Sequence, residues 1–226
     1  MKRRSYRVRL SAVSGHGAPR YDGATRPIAR PTTTESCRMF FKRDNPHTLV
    51  VGMTGVKMGD RLIQIGCAHA GRLGAVAAKV GLSGRAAAVV PDEASAARAR
   101  KGGADAGVLV DVEIAPPSRL PVDAGAFDLA VVDDTGGLFG AMRAEDRVAS
   151  VREIARVLRP GGRVVIVGAT PRGGIGAILS RAQTGPPFVS SGEAAKALEA
   201  DGFRSARIIG EREGMAFVEA VKPRHG

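Results

Sequence analysis

The chain has 226 residues, 44% hydrophobic and 25% charged, which is globular composition with length for one well-buried α/β domain plus an extension, not for two separate cores. No stretch approaches the roughly 18 consecutive apolar residues of a membrane-spanning helix. The net charge of +12 invites a nucleic-acid partner, but residues 1–38 hold nine Lys/Arg against Asp22 and Glu35, a net +7. The other 188 residues share the remaining +5, so no nucleic acid is expected for the domain itself.

Residues 1–38 mix Gly, Pro, Thr and Arg without hydrophobic periodicity and read as a disordered basic tail. They contain no apolar h-region, which argues against a secretory signal. Three accounts of the tail stay open: an organellar transit peptide, a nucleic-acid-binding arm, and upstream sequence ahead of a true start at Met39. The domain is then 39–226. Cys37 and Cys67 have no spacing suited to zinc or a disulfide framework, so a reducing, cytoplasmic setting is expected.

In chain order, a short helix opens at Pro46 with Asn45 as its cap. Arg61–Gly66 reads as a first buried strand that ends in the small-residue loop Gly66–Gly71. Leu73, Val76, Ala77 and Val80 form a helical stripe that stops at Gly81. A second strand covers 85–90, and Pro91-Asp92-Glu93 starts a helix that should end at Gly102-Gly103. A third strand is expected over about 107–114 and a fourth over Phe127–Val132, closing at Asp133-Asp134. Val148, Val151, Ile154, Ala155 and Leu158 mark a helix over 145–158, terminated by Pro160-Gly161-Gly162 ahead of the apolar strand 163–167. After a Gly/Pro-rich excursion, a helix at 192–200 precedes strands near 204–211 and 215–221, close enough to pair as a hairpin. This alternation predicts an α/β fold, a doubly wound, seven-stranded, mostly parallel sheet with a C-terminal antiparallel hairpin, whose ligand crevice lies beyond the strands' carboxyl ends.

The run Glu153–Ile166, with its Pro160-Gly161-Gly162 turn, resembles the helix, turn and fifth strand of class I S-adenosylmethionine-dependent methyltransferases. Gly59-Asp60-Arg61-Leu62, Leu120-Pro121, Phe127-Asp128-Leu129 and the closing hairpin extend the resemblance over about 46–222. It implies a Rossmann-like fold and methyl transfer to a small molecule, for which the apolar Gly173–Leu179 stretch suggests an apolar acceptor. It also implies that S-adenosylmethionine lies along Gln64, Gly66, Cys67, Ala68, His69, Val90, Pro91, Asp92 and Asp133, its carboxylate near the start of the helix after the first loop.

The departures from the family pattern fall in that crevice. Gln64 stands where the family has a carboxylate, Ala68 and Ala70 where it has glycines, Val90 where an acid receives the ribose, and Pro116 where an acid approaches adenine. Each lost acceptor strands a ligand donor at ~1–3 kcal/mol, which Gln64 and Asp92 are positioned in sequence to offset in part. His69 is a candidate base because its pKa lies near neutrality, against a plain surface or packing role. Asp133 is a candidate for holding or deprotonating the acceptor, against capping of the turn at Gly136-Gly137. Cys67 reads as a small packing residue, and Gly173–Leu179 as a lid over an apolar substrate, a segment that touches a membrane surface, or a short helix packed on the sheet edge. Two other classes compete with methyl transfer. One is a non-catalytic binding or scaffold protein; the other is a nicotinamide-dinucleotide protein using Gly66, Gly71 and Gly74, whose spacing misses the usual fingerprint.

Overall fold

The computed structural model describes residues 46–170 and 188–224, all within one compact unit, Arg43–Gly226. The tail of residues 1–38, Asn45 and the Gly173–Leu179 stretch lie outside the described residues. The elements are α1 (Thr48–Thr54), β1 (Arg61–Ile65), α2 (Ala70–Val80), β2 (Arg85–Val90), α3 (Glu93–Ala106), β3 (Asp111–Ile114), β4 (Phe127–Asp134), α4 (Ala144–Val157), β5 (Leu158–Ala169), α5 (Glu193–Ala200), β6 (Arg204–Arg212) and β7 (Met215–Val221). The strands form one seven-stranded sheet in the order β3-β2-β1-β4-β5-β7-β6. Only β7 runs against its neighbours, so the doubly wound sheet with a C-terminal hairpin is what the chain forms.

Side-chain alternation along the central strands sorts the core onto two faces. Ile63 and Ile65, Ala130 and Val132, and Val164 and Ile166 pack with Val151, Ile154 and Val157 of α4 and Leu198 of α5. Leu62, Leu129, Val131, Val165 and Val167 point the other way, onto Val50 of α1 and Val76, Ala77 and Val80 of α2. Because both faces are covered, β1, β4 and β5 read in sequence as near-continuous apolar runs.

Four expectations need correcting. The first helix starts at Thr48 with His47 at its N-cap position, not at Pro46, and α4 ends at Val157 with β5 starting at Leu158, so that Pro160-Gly161-Gly162 lies within the strand. Gly102-Gly103 does not end the third helix, which continues to Ala106 and is closed by Gly107 in the left-handed region at φ 67°. Both glycines are buried, Gly103 against Val108 and Val110 and Gly102 where α3 crosses α2: a Cβ on Gly102 would run into the Ala70 carbonyl, and one on Gly74 into the Gly102 carbonyl. They allow backbones to touch instead of breaking the helix. β3 likewise starts only at Asp111, since Gly107 and Val108 donate backbone bonds to the last turn of α3.

Candidate functional site

β1 and β4 are neighbours, but β2 leaves on one side and β5 on the other, so the crevice of a doubly wound sheet opens beyond their carboxyl ends. At that point β1 ends in Gly66, whose φ of 79° is unstrained only without a side chain. A Cβ there would come within 3.0 Å of the Asp133 carbonyl and 2.8 Å of Leu138 Cδ2. The loop then leads into α2, whose N-terminus has no side-chain cap. Its first-turn N–H groups and helix dipole therefore face the crevice as an anion-receiving end.

The same period of two that builds the core separates the adjacent acids at the end of β4. Asp133 points to the face carrying α1 and α2. Its Oδ2 accepts from the Ala68 N–H at 2.9 Å, while Oδ1 accepts from the Thr135 hydroxyl at 2.6 Å, the Thr135 N–H at 3.2 Å and the Arg72 guanidinium at 3.5 Å. Arg72 also donates to Thr135 Oγ1 at 2.7 Å. Asp134 points to the opposite face and accepts from the Phe139 N–H at 2.6 Å, so it is the acid that ties the turn through Gly136-Gly137. Burial pushes the Asp134 carboxyl up to about 6, against the backbone bonds it receives.

Gln64 is buried and directs its amide nitrogen to the Gly66 carbonyl at 3.0 Å, a bond that a carboxylate at this position cannot make. It lines a small recess of about 10 Å³ with Val50, Arg72, Val76, Val131, Asp133 and Val167. That volume is below the roughly 300–1,000 Å³ of ordinary small-molecule pockets. The opposing loop accounts for the shortfall, because Leu138 lies against Gly66 and Gly136 against Ala68.

The remaining residues singled out in the sequence divide clearly. Ala68 and His69 are exposed on the loop, and the His69 imidazole meets the His47 ring edge-on at 5.1 Å. Burial, with the neighbouring His69 and Arg72, lowers the pKa of His47. Cys67 and Val90 are not at the crevice surface: their side chains pack with Leu73, Ala88, Ala96 and Ala99 beneath α3. Burial, with the Asp133 charge second, pushes the Cys67 thiol up to about 11, so it is a neutral packing group at physiological pH. Pro91 is exposed at the end of β2. Asp92 caps α3, accepting from the Ser95 N–H at 2.7 Å and the Ser95 hydroxyl at 3.1 Å. Arg98 joins this corner to the first loop by donating to the Cys67 carbonyl at 2.9 Å.

Arg72 and Thr135 are the site residues that the sequence reading missed. The available signals were an arginine in the first turn of α2, whose side chain leans back toward the N-terminus, and a threonine directly after two acids. Among the described residues no group of three or more His, Cys, Asp or Glu is placed to hold a metal, and no helix is long and apolar enough to cross a membrane.

Strand order, the antiparallel β7 and the Gly66–Asp133 crevice define a methyltransferase-type Rossmann domain. Residues 63–166 match the family model described as a methyltransferase domain. A solved adenosylmethionine-dependent methyltransferase from Aquifex aeolicus shares the fold, with a TM-score of 0.61 at 20% identity over 78% of this chain and 89% of its own. An uncharacterised Mycobacterium tuberculosis protein is 31% identical over 144 residues, 64% of this chain and 50% of its own length. A demethylmenaquinone methyltransferase of Mycolicibacterium gilvum is 42% identical over 59 residues, 26% of this chain and 24% of its own. The chain thus spans about half the length of the first of these curated relatives, and less of the second. It is similar to methyltransferase-domain proteins over residues 63–166 and shares its fold with adenosylmethionine-dependent methyltransferases, and adenosylmethionine is the cofactor that these likenesses support.

The donor set fits that cofactor at its amino-acid end. Arg72 and the open end of α2 suit a carboxylate, and Asp133 suits an ammonium. At the ribose end the acids close in sequence to the tip of β2 are Asp92, whose carboxylate α3 already uses as a cap, and Glu93, which pairs with Arg100 at 2.6 Å.

Proposed function

We propose that the chain is an adenosylmethionine-dependent methyltransferase whose acceptor is a small molecule with an apolar body. The observation that supports this most is the opposed pair Arg72 and Asp133, brought together across the β1/β4 crevice beside the uncapped start of α2. A cation and an anion at that spacing match the zwitterionic end of an amino-acid-bearing cofactor. When bound, the cofactor supplies an electrophilic methyl group on sulfur. The chain's part is to fix the angle of approach and exclude water, and proximity of this kind accounts for much of a methyl-transfer rate.

Asp133 has four donors on its two oxygens, so its role is to position rather than to abstract a proton. His69, exposed at the mouth of the loop, is the residue we assign to moving a proton from the acceptor, with Gln64, Gly66, Ala68 and Pro91 along the cofactor and Asp92 in reach of the ribose through solvent. Cys67 and Val90 contribute through their backbones alone. The apolar acceptor follows the demethylmenaquinone methyltransferase among the partial relatives.

The small size of the recess, about 10 Å³, favours a second reading, a non-catalytic protein that keeps the fold and binds through it. Calorimetric titration of the full chain with adenosylmethionine and adenosylhomocysteine separates the two. Saturable heat that Arg72→Ala weakens at least about tenfold is the expected result. Absence of heat with both ligands overturns the enzymatic reading.

A further inference from the structure

The most exposed large apolar side chains of the described residues lie at the end of the sheet opposite the crevice. Met58, Leu82 and Leu109 are 78%, 108% and 87% exposed, and the next is Ile114 at 46%. They sit in the three loops that lead into β1, β2 and β3. Those strands are adjacent, so the loops follow one another at the ~4.8 Å strand spacing. Met58 lies against Gly81, the residue before Leu82, with its Cγ 3.4 Å from where a Cβ on that glycine would stand. Arg85 and Asp111, paired at 2.9 Å, join the Leu82 loop to the Leu109 loop. The three side chains therefore form one ridge, whereas singly scattered surface apolar residues need no explanation.

The ridge is flanked by positive charge. Lys57 and Lys79 are exposed and form no ion pair with any described residue. Arg61 and Arg159 share the single carboxylate of Asp128, which leaves one positive charge over. The Arg85–Asp111 and Lys101–Asp105 pairs are neutral, and Asp60 is the acid that stands against this excess. Projecting Met and Leu tips inside a basic border complement a surface that is apolar beneath and anionic on top.

We propose that this end of the sheet is a docking surface for an anionic lipid interface, with Met58, Leu82 and Leu109 entering the acyl boundary and Lys57, Lys79, Arg61 and Arg159 meeting the headgroups. Docked in this way, the chain presents the crevice at the other end of the strands to water. The inference does not depend on which cofactor the crevice takes.

The test is co-sedimentation of the full chain with large vesicles of phosphatidylcholine alone and of phosphatidylcholine with phosphatidylglycerol, at low and high salt. Partitioning should be at least about tenfold stronger onto the phosphatidylglycerol vesicles and fall with salt. The variant Met58→Ser/Leu82→Ser/Leu109→Ser, whose changes are all on exposed side chains, should lose at least about tenfold of that binding with an unchanged circular dichroism spectrum. Lys57→Glu/Lys79→Glu should lose it too. No binding by the unaltered chain overturns the proposal. So does undiminished binding by the triple-serine variant, which would assign the affinity to basic residues elsewhere. A shift of that variant from dimer to monomer in light scattering, without vesicle binding by the parent, would overturn it in favour of self-association.

Discussion

The two lips of the crevice are built differently. On the β1/β4 side, the Ala68 backbone N–H, an arginine, a threonine and a buried aspartate form one hydrogen-bonded set across 60-odd residues of chain, beside the left-handed Gly66. On the β2/β3 side, Val90 is packed away beneath α3, Asp92 is committed to a helix cap, and Pro91 and Pro116 present apolar rings to solvent. Polar side chains are concentrated on the first lip, while the second is packed and largely apolar. The difference teaches that losing the family's acids at β2 and β3 need not remove binding, because charged groups contribute most of what a polar site can offer.

The sharpest way to break that comparison is Gly66→Ala. The strained φ and the approach to the Asp133 carbonyl should cost on the order of 2–3 kcal/mol of stability and about 100-fold in adenosylmethionine affinity, read by denaturant titration and calorimetry. Val90→Ala, the matching change on the other lip, should cost about 1–2 kcal/mol of stability and leave affinity within about threefold. If Val90→Ala harms binding as much as Gly66→Ala does, the asymmetry is wrong.

Asp133→Asn keeps the shape of the first lip and removes its charge. Affinity for adenosylmethionine should fall about 10- to 30-fold, with a smaller loss for a ligand that lacks the ammonium group. Asp134→Asn tests the neighbouring acid on the opposite face. Its folded pKa of about 6 lies above the unfolded value of 3.8, so the native state holds the proton more tightly. The stability it contributes is complete below about pH 4 and lost as pH rises through about 6, an effect on the order of 1–3 kcal/mol. The slope of melting temperature against pH in that window should flatten in the variant. Asp92→Ala should be the mildest change, costing about 1 kcal/mol through loss of the α3 cap with affinity nearly unchanged. A large affinity loss there would return Asp92 to the ribose.

The central strands were legible because burial on both faces writes itself as unbroken apolar sequence, and α4 because its apolar stripe carries through to Val157. Gly102-Gly103 was misleading, since a glycine that ends a helix and one that lets two helices touch look the same until the second helix is present. The crevice was half legible. Gly66, Ala68 and Asp133 could be placed from the resemblance, but the bond from the Ala68 N–H to Asp133 spans 65 residues and Arg72 meets Thr135 across 63, distances over which no local pattern reports. The alternation that sends Asp133 and Asp134 to opposite faces was readable in principle from the strand's period of two.

The contact of Gly74 and Gly102 has a consequence at the crevice. The Ala70 carbonyl, in the first turn of α2, rests on the α3 backbone with no side chain between them. Thickness added at position 102 has nowhere to go except into the tilt of α2, and that tilt aims both the Gly66–His69 loop and the Arg72 guanidinium. A position with no access to the ligand is in effect a spacer gauge for the mouth that receives it, so conservative substitutions at 102 should retune binding by degrees where substitutions at Gly66 abolish it.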